Sequence, residues 1–143
     1  MKKNTKGFTL IELLAVIVVL AVIALIATPI VLNLVKEARV GAARESVTSY
    51  MKAVENTVLK EMVNGKNVTF CTSYTIDGTT LKCTGDPENT LTVDVSGKGP
   101  TAGTVTMKPD GSEIKATGVK VDTYGPFKYS QSDGTSDETK VES

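Results

Sequence analysis

Lys6-Gly7-Phe8-Thr9-Leu10-Ile11-Glu12-Leu13-Leu14-Ala15-Val16-Ile17 is the stretch on which the architecture turns. Upstream lies a short polar leader carrying Lys2, Lys3 and Lys6 and no acid. Downstream, the 23 residues from Leu13 to Val35 carry no charge. A helix needs about 20 apolar residues to cross a bilayer, so this run is long enough. A secretory signal peptide has a shorter apolar core with a small-residue cleavage site beyond it. Ala27-Thr28-Pro29 fits such a site poorly. Glu12 is the odd residue, a carboxylate inside the apolar segment. At the centre of a membrane helix an acid costs roughly 2.5–3.5 kcal/mol on insertion scales, so its presence there points to a function.

Behind its basic leader, Gly7-Phe8-Thr9-Leu10-Ile11-Glu12-Leu13 resembles the class III signal of type IV pilins and pseudopilins. The resemblance implies a membrane-embedded prepilin peptidase that cuts between Gly7 and Phe8 on the cytoplasmic side. The same enzyme methylates the new amine of Phe8, and the apolar helix is retained. The resemblance also assigns Glu12 an assembly role with Phe8 and matches Pro29 to the family's mid-helix proline. It covers roughly the first 35 residues. An ordinary signal anchor accounts for the lysines and the apolar run, but not for Gly7-Phe8 or Glu12. A buried helix of a soluble protein does not need so long an uncharged run. The plain alternative for Glu12 is an interfacial acid that snorkels to water without a role.

The 143 residues leave room for one domain besides the membrane helix. Sixteen basic and sixteen acidic side chains balance, so losing the three leader lysines leaves a net side-chain charge of −3. A mildly acidic product argues against global attraction to nucleic acid or anionic lipid. The chain has no histidine, which removes most zinc and catalytic-triad schemes. The lysine-rich leader stays cytoplasmic by the positive-inside rule, placing residues after Lys36 outside. Disulfides persist there. A Cys71–Cys83 bridge is therefore favoured over two free thiols, and two cysteines cannot make a four-ligand zinc site.

From Lys36 the pattern turns amphipathic. Val40, Ala43, Val47, Met51, Val54, Val58 and Met62 recur at helical spacing beside Tyr50, while Arg39, Arg44, Glu45, Lys52, Glu55 and Lys60 fill the other positions. Asn64-Gly65 is a stop signal. A helix from Phe8 to Val63 would be about 84 Å long. Pro29 cannot donate to the carbonyl of Leu25, which predicts a kink or local unwinding. Gly41 marks a close helix contact or a hinge.

Beyond Gly65 the period becomes two. Val68, Phe70, Thr72, Tyr74 and Ile76 read as a strand with one buried face, and Asp77-Gly78 as a turn into a second strand near Thr79 to Thr84. A three-residue loop, Ile76-Asp77-Gly78, would set Cys71 opposite Cys83, whereas a two-residue loop would put them on opposite faces if both segments are paired strands. Leu91, Val93 and Val95 give a further strand, and Val105 with Met107 another. Ile114, Val119 and Val121 shift parity across Ala116-Thr117-Gly118, predicting a bulge at Gly118. Tyr124-Gly125-Pro126-Phe127 reads as a turn, with Lys128-Tyr129 adding an edge residue or two. From Ser130 the chain is polar and reads as disordered.

These signals give an α+β chain: a long N-terminal helix, apolar in its first half and amphipathic in its second, packed on a small antiparallel sheet. The segments are a leader (1–7), a transmembrane and assembly helix (8–35), an amphipathic helix of the head (36–64), a sheet head (65–131) and a polar tail (132–143). No catalytic constellation, cofactor motif or metal-ligand spacing is recognisable. Asp77, Asp86, Asp94 and Asp110 fall in or beside turns, where acids ordinarily bond backbone. The expected function is a structural subunit, not an enzyme. It polymerises through its N-terminal helix into a type IV pilus or pilus-like filament. The alternative is a minor pilin, or a competence or secretion pseudopilin, whose head binds DNA, a surface or an exported substrate. The resemblance implies as partners other copies in the filament, the prepilin peptidase, an assembly ATPase and a platform membrane protein. Before assembly the subunit is a single-pass protein of the cytoplasmic membrane with its head outside.

Overall fold

The computed structural model describes residues 7–64, 69–132 and 134–138. It divides into two units, Met1–Arg39 and Val40–Ser143, and one helix, α1 (Leu10–Val63), contributes to both. The helix starts where Thr9 can cap it, carries Glu12 in its first turn and Lys60 in its last, and so opposes the macrodipole at neither end. The helix runs through Pro29 without unwinding. Beside it the Thr28 hydroxyl donates to the Ala24 carbonyl at 2.6 Å. At the C-terminal end Asn64 N–H donates to Lys60 O at 3.0 Å. Gly65, the expected stop, lies outside the described residues.

Within the first unit the helix has no cover. Every large apolar side chain from Phe8 to Val35 is exposed, and no part of its most apolar 18-residue stretch is buried. By length and composition this helix can cross a membrane.

In the second unit the same helix is half buried. Ala43, Val47, Tyr50, Met51, Val54 and Val58 share one core with strand residues. Spacings of three and four put them on one helix face, as the sequence stripe requires. Val40, at one end of that stripe, is half-buried, and Met62 at the other is exposed. Thr48 and Thr57 are also buried, and their hydroxyls satisfy themselves on the carbonyls of Arg44 and Ala53.

The sheet has seven antiparallel strands: β1 (Ser73–Asp77), β2 (Thr80–Cys83), β3 (Thr90–Thr92), β4 (Ala102–Thr106), β5 (Lys115–Val121), β6 (Tyr124–Ser130) and β7 (Thr135–Glu138). Their order is β3-β2-β1-β4-β5-β6-β7. Tyr74, Ile76, Leu81, Val105, Ala116, Val119, Phe127 and Tyr129 point inward against the helix and dominate the core. Burying each large apolar side chain contributes about 1.5–3 kcal/mol. A polar link spans the same interface: the Tyr129 hydroxyl donates to Glu55 Oε1 at 2.8 Å.

The bulge at Gly118 is present. Ala116 pairs with Tyr129 and Val119 with Phe127, so three steps on β5 oppose two on β6, and Gly118 has φ +67°. That extra residue is why Ala116 and Val119, three apart, are both buried.

Other features of the sheet differ from the expectation. The first turn is a two-residue loop, Gly78-Thr79, closed by the Asp77–Thr80 pair, with Gly78 at φ +61°. Its register sets Cys83 opposite Tyr74 instead of Cys71. The parity argument fails because β1 begins only at Ser73, so Cys71 is not a ladder residue. Leu91 lies in a strand of three residues, and Val93 and Val95 follow it outside the ladder. Tyr124-Gly125-Pro126-Phe127 is strand, not turn. The reversal is at Asp122-Thr123, and Pro126 falls where a second register shift excuses it from the ladder. Nor is the tail wholly without structure, since β7 pairs with β6 from Ser130–Thr135 to Phe127–Glu138.

Candidate processing and assembly site

Gly7, Phe8 and Thr9 precede the first helical residue and are exposed; Phe8 is 83% exposed. Among the described residues a Cβ built at Gly7 meets nothing within 4 Å.

Glu12 is not free. Its Oε2 accepts from the backbone N–H of Thr9 and from the Thr9 hydroxyl, each at 2.8 Å. In return the N–H of Glu12 donates to Thr9 Oγ1 at 3.4 Å and to the Thr9 carbonyl at 3.1 Å. Thr9 and Glu12 are thus N-cap and N3 of a reciprocal capping box. The sequence reading missed this partner of Glu12. The signal was a threonine three residues before a glutamate, directly ahead of an apolar run. The carboxylate is thus held on Thr9, the chain neighbour of Phe8.

The structure thus gathers Gly7, Phe8 and Glu12 at one helix end, while Pro29 stands alone far along the same helix. Cys71 and Cys83 come together separately as a disulfide with Cα atoms 5.9 Å apart. Two bonds position that bridge. Cys71 N–H donates to the Tyr74 hydroxyl at 3.0 Å, and Cys83 N–H to the Asn89 carbonyl at 3.0 Å.

Of the four turn acids, Asp77, Asp86 and Asp110 have structural partners. Asp77 forms an exposed pair with Lys82 at 2.5 Å, and that hydrogen bond and charge hold its carboxyl below the ordinary range. Asp110 accepts from the Ser112 N–H and hydroxyl, which lowers its carboxyl too. Asp86 accepts from Glu88 N–H. Among the described residues no three His, Cys, Asp or Glu side chains cluster as a metal would need.

No curated protein and no solved structure matches the chain. Residues 2–28 match the family described as the prokaryotic N-terminal methylation motif. A basic leader, an open glycine–phenylalanine junction, a capped helix start and an uncovered apolar helix are therefore joined in one known signal, and the chain carries the class III prepilin signal of type IV pilins and pseudopilins.

Proposed function

We propose that this chain is a structural subunit of a type IV pilus or pilus-like filament. A prepilin peptidase cuts it between Gly7 and Phe8 and methylates the amine of Phe8. Until assembly, lipid solvates the apolar helix, with the leader in the cytoplasm and the residues after Lys36 outside. Polymerisation exchanges lipid for the helices of other copies, and the apolar residues from Leu10 to Val35 become a shared bundle. Glu12 then pairs with the Phe8 amine of an adjacent copy, neutralising two charges that hydrocarbon penalises. Pro29 bends the helix in that bundle. An assembly ATPase and a platform membrane protein supply the work of extraction.

The observation that carries this reading is the uncovered apolar helix directly behind a processing signal. Among the described residues of the first unit none covers that surface, and lipid or other copies would. The test is intact-mass analysis of membrane-extracted protein together with imaging of surface filaments. A mature chain starting at methylated Phe8 and present in filaments is the expected result. An uncut chain in cells that hold the peptidase, or a cut near Ala27, refutes it.

A further inference from the structure

Pro29 leaves an unmet group in the uncovered part of α1. A proline has no backbone N–H, so the Leu25 carbonyl loses the donor that any other residue at position 29 would supply. Leu25 lies beside the midpoint of the uncharged run from Leu13 to Val35, the level at which a bilayer holds no water. Lipid tails offer no donor either. The Thr28 hydroxyl, three residues on, is engaged by the Ala24 carbonyl at 2.6 Å.

Asn33 is the complementary anomaly. Thr28 and Asn33 carry the only polar side chains among the 23 residues from Leu13 to Val35. The Asn33 amide is exposed and has no hydrogen-bond partner among the described residues. Its NH2 group offers two donors. Within one chain it cannot serve Leu25, because eight residues of helix separate the two by about 12 Å. A helix with one unmet acceptor and one unmet donor, two turns apart, is matched by a second copy of itself.

The match fixes a displacement. Asn33 of one copy stands level with Leu25 of a parallel neighbour when that neighbour is shifted by about 12 Å toward the head end. Pairing of Glu12 with Phe8 calls for a shift in the same direction, since Phe8 of the shifted copy rises toward Glu12 of the other. That pairing needs about 6 Å between Cα levels, and the difference is about one helical turn, the reach of a glutamate side chain. Donor and acceptor also lie about 80° apart around the helix, so each copy turns its donor to one neighbour and its acceptor to another. Such a contact is heterologous, and an axial shift keeps it from closing into a ring. We infer, resting on the filament reading above, that the Asn33 amide of each subunit donates to the Leu25 carbonyl of a neighbour displaced by about 12 Å along the helix.

The full chain is expressed in cells that carry the assembly machinery, and sheared-filament yield is normalised to cleaved, membrane-extracted subunit. Asn33→Leu keeps the size and removes the donor, and should lower the yield about tenfold, the worth of one interhelical hydrogen bond. Pro29→Ala returns an N–H to the Leu25 carbonyl, so Asn33→Leu should cost nothing further in that background. Cysteines read the register separately, because Cys71 and Cys83 are already bridged. Filaments of a chain with Leu25→Cys and Asn33→Cys should give a ladder of linked subunits on oxidation, while each single variant stays monomeric. An Asn33→Leu yield equal to the parent's, an equal loss in the Pro29→Ala background, or single variants that link at level positions would overturn the inference and leave the filament reading intact. A parent chain that forms no filaments refutes both.

Discussion

Thr9 and Glu12 cap each other: the threonine N–H and hydroxyl both reach the same carboxylate oxygen, and the glutamate N–H reaches the threonine oxygen in return. An acid that looks out of place in an apolar helix therefore has a local reason to be where it is. The finding gives Glu12 two candidate duties, closing its own helix end and meeting a cationic amine on another copy, and the two duties separate under mutation.

Replacing an N-cap threonine by alanine costs about 0.5–2 kcal/mol of helix stability. Breaking one half of a buried charge pair costs about 3–5 kcal/mol. If Glu12 only caps, Thr9→Ala and Glu12→Ala should lower sheared-filament yield by similar modest amounts, normalised to membrane-extracted subunit. With a Phe8 amine as its partner, Glu12→Ala should give few or no filaments while Thr9→Ala still assembles. Normal yield from the Glu12→Ala variant would end the proposed pairing.

Gly7→Val should leave the precursor uncut and the rest of the chain unaltered. A Cβ at Gly7 meets open space among the described residues, so none of their packing is disturbed. Intact mass of the membrane fraction reads the cleavage, and circular dichroism reads the helix. Efficient cutting of the valine variant would show that the junction is not read as proposed.

Cys71→Ser with Cys83→Ser should destabilise the head without blocking cleavage. The bridge closes a separation of 12 residues, and loop-closure entropy for a loop this short is worth somewhat under about 3 kcal/mol. A fall in the thermal midpoint of the head, matched by reducing the parent protein, is the expected outcome. An unchanged midpoint would mean that the Cys71 segment is held by the Tyr74 hydroxyl and its neighbours alone.

Alkali should loosen the head in a defined window. Burial pushes the Tyr50 phenol up to about 12, and burial followed by the Glu55 carboxylate does the same for Tyr129, against an ordinary value of 10.0. Both groups keep in the folded state a proton that the unfolded chain releases. Their contribution is therefore complete below pH 10 and is lost as pH rises from there to about 12. Urea midpoints measured across this range should fall with pH, and Tyr50→Phe should flatten the decline. A flat profile in the parent chain would contradict the burial of both phenols.

Much of this protein was legible in local pattern, because local pattern is what sets helix and processing signal. An uncharged run of 23 residues, a stripe at spacings of three and four, and Gly7-Phe8 ahead of Glu12 are each properties of neighbouring residues. The parity shift at Gly118 was legible for the same reason, since one extra residue moves every later side chain to the other face. What tertiary structure decided was pairing. The chain around Asp77-Gly78 could close a two- or a three-residue turn, and only the ladder selects Asp77 with Thr80, leaving Cys71 outside the strand it was expected to join. Gly125-Pro126 carries turn chemistry, yet Phe127 and Tyr129 bury so much apolar surface that their segment is drawn into the sheet and the reversal moves back to Asp122-Thr123. The buried Tyr50 hydroxyl, without a hydrogen-bond partner among the described residues, was invisible in sequence altogether, because a missing partner exists only once helix and sheet close over it.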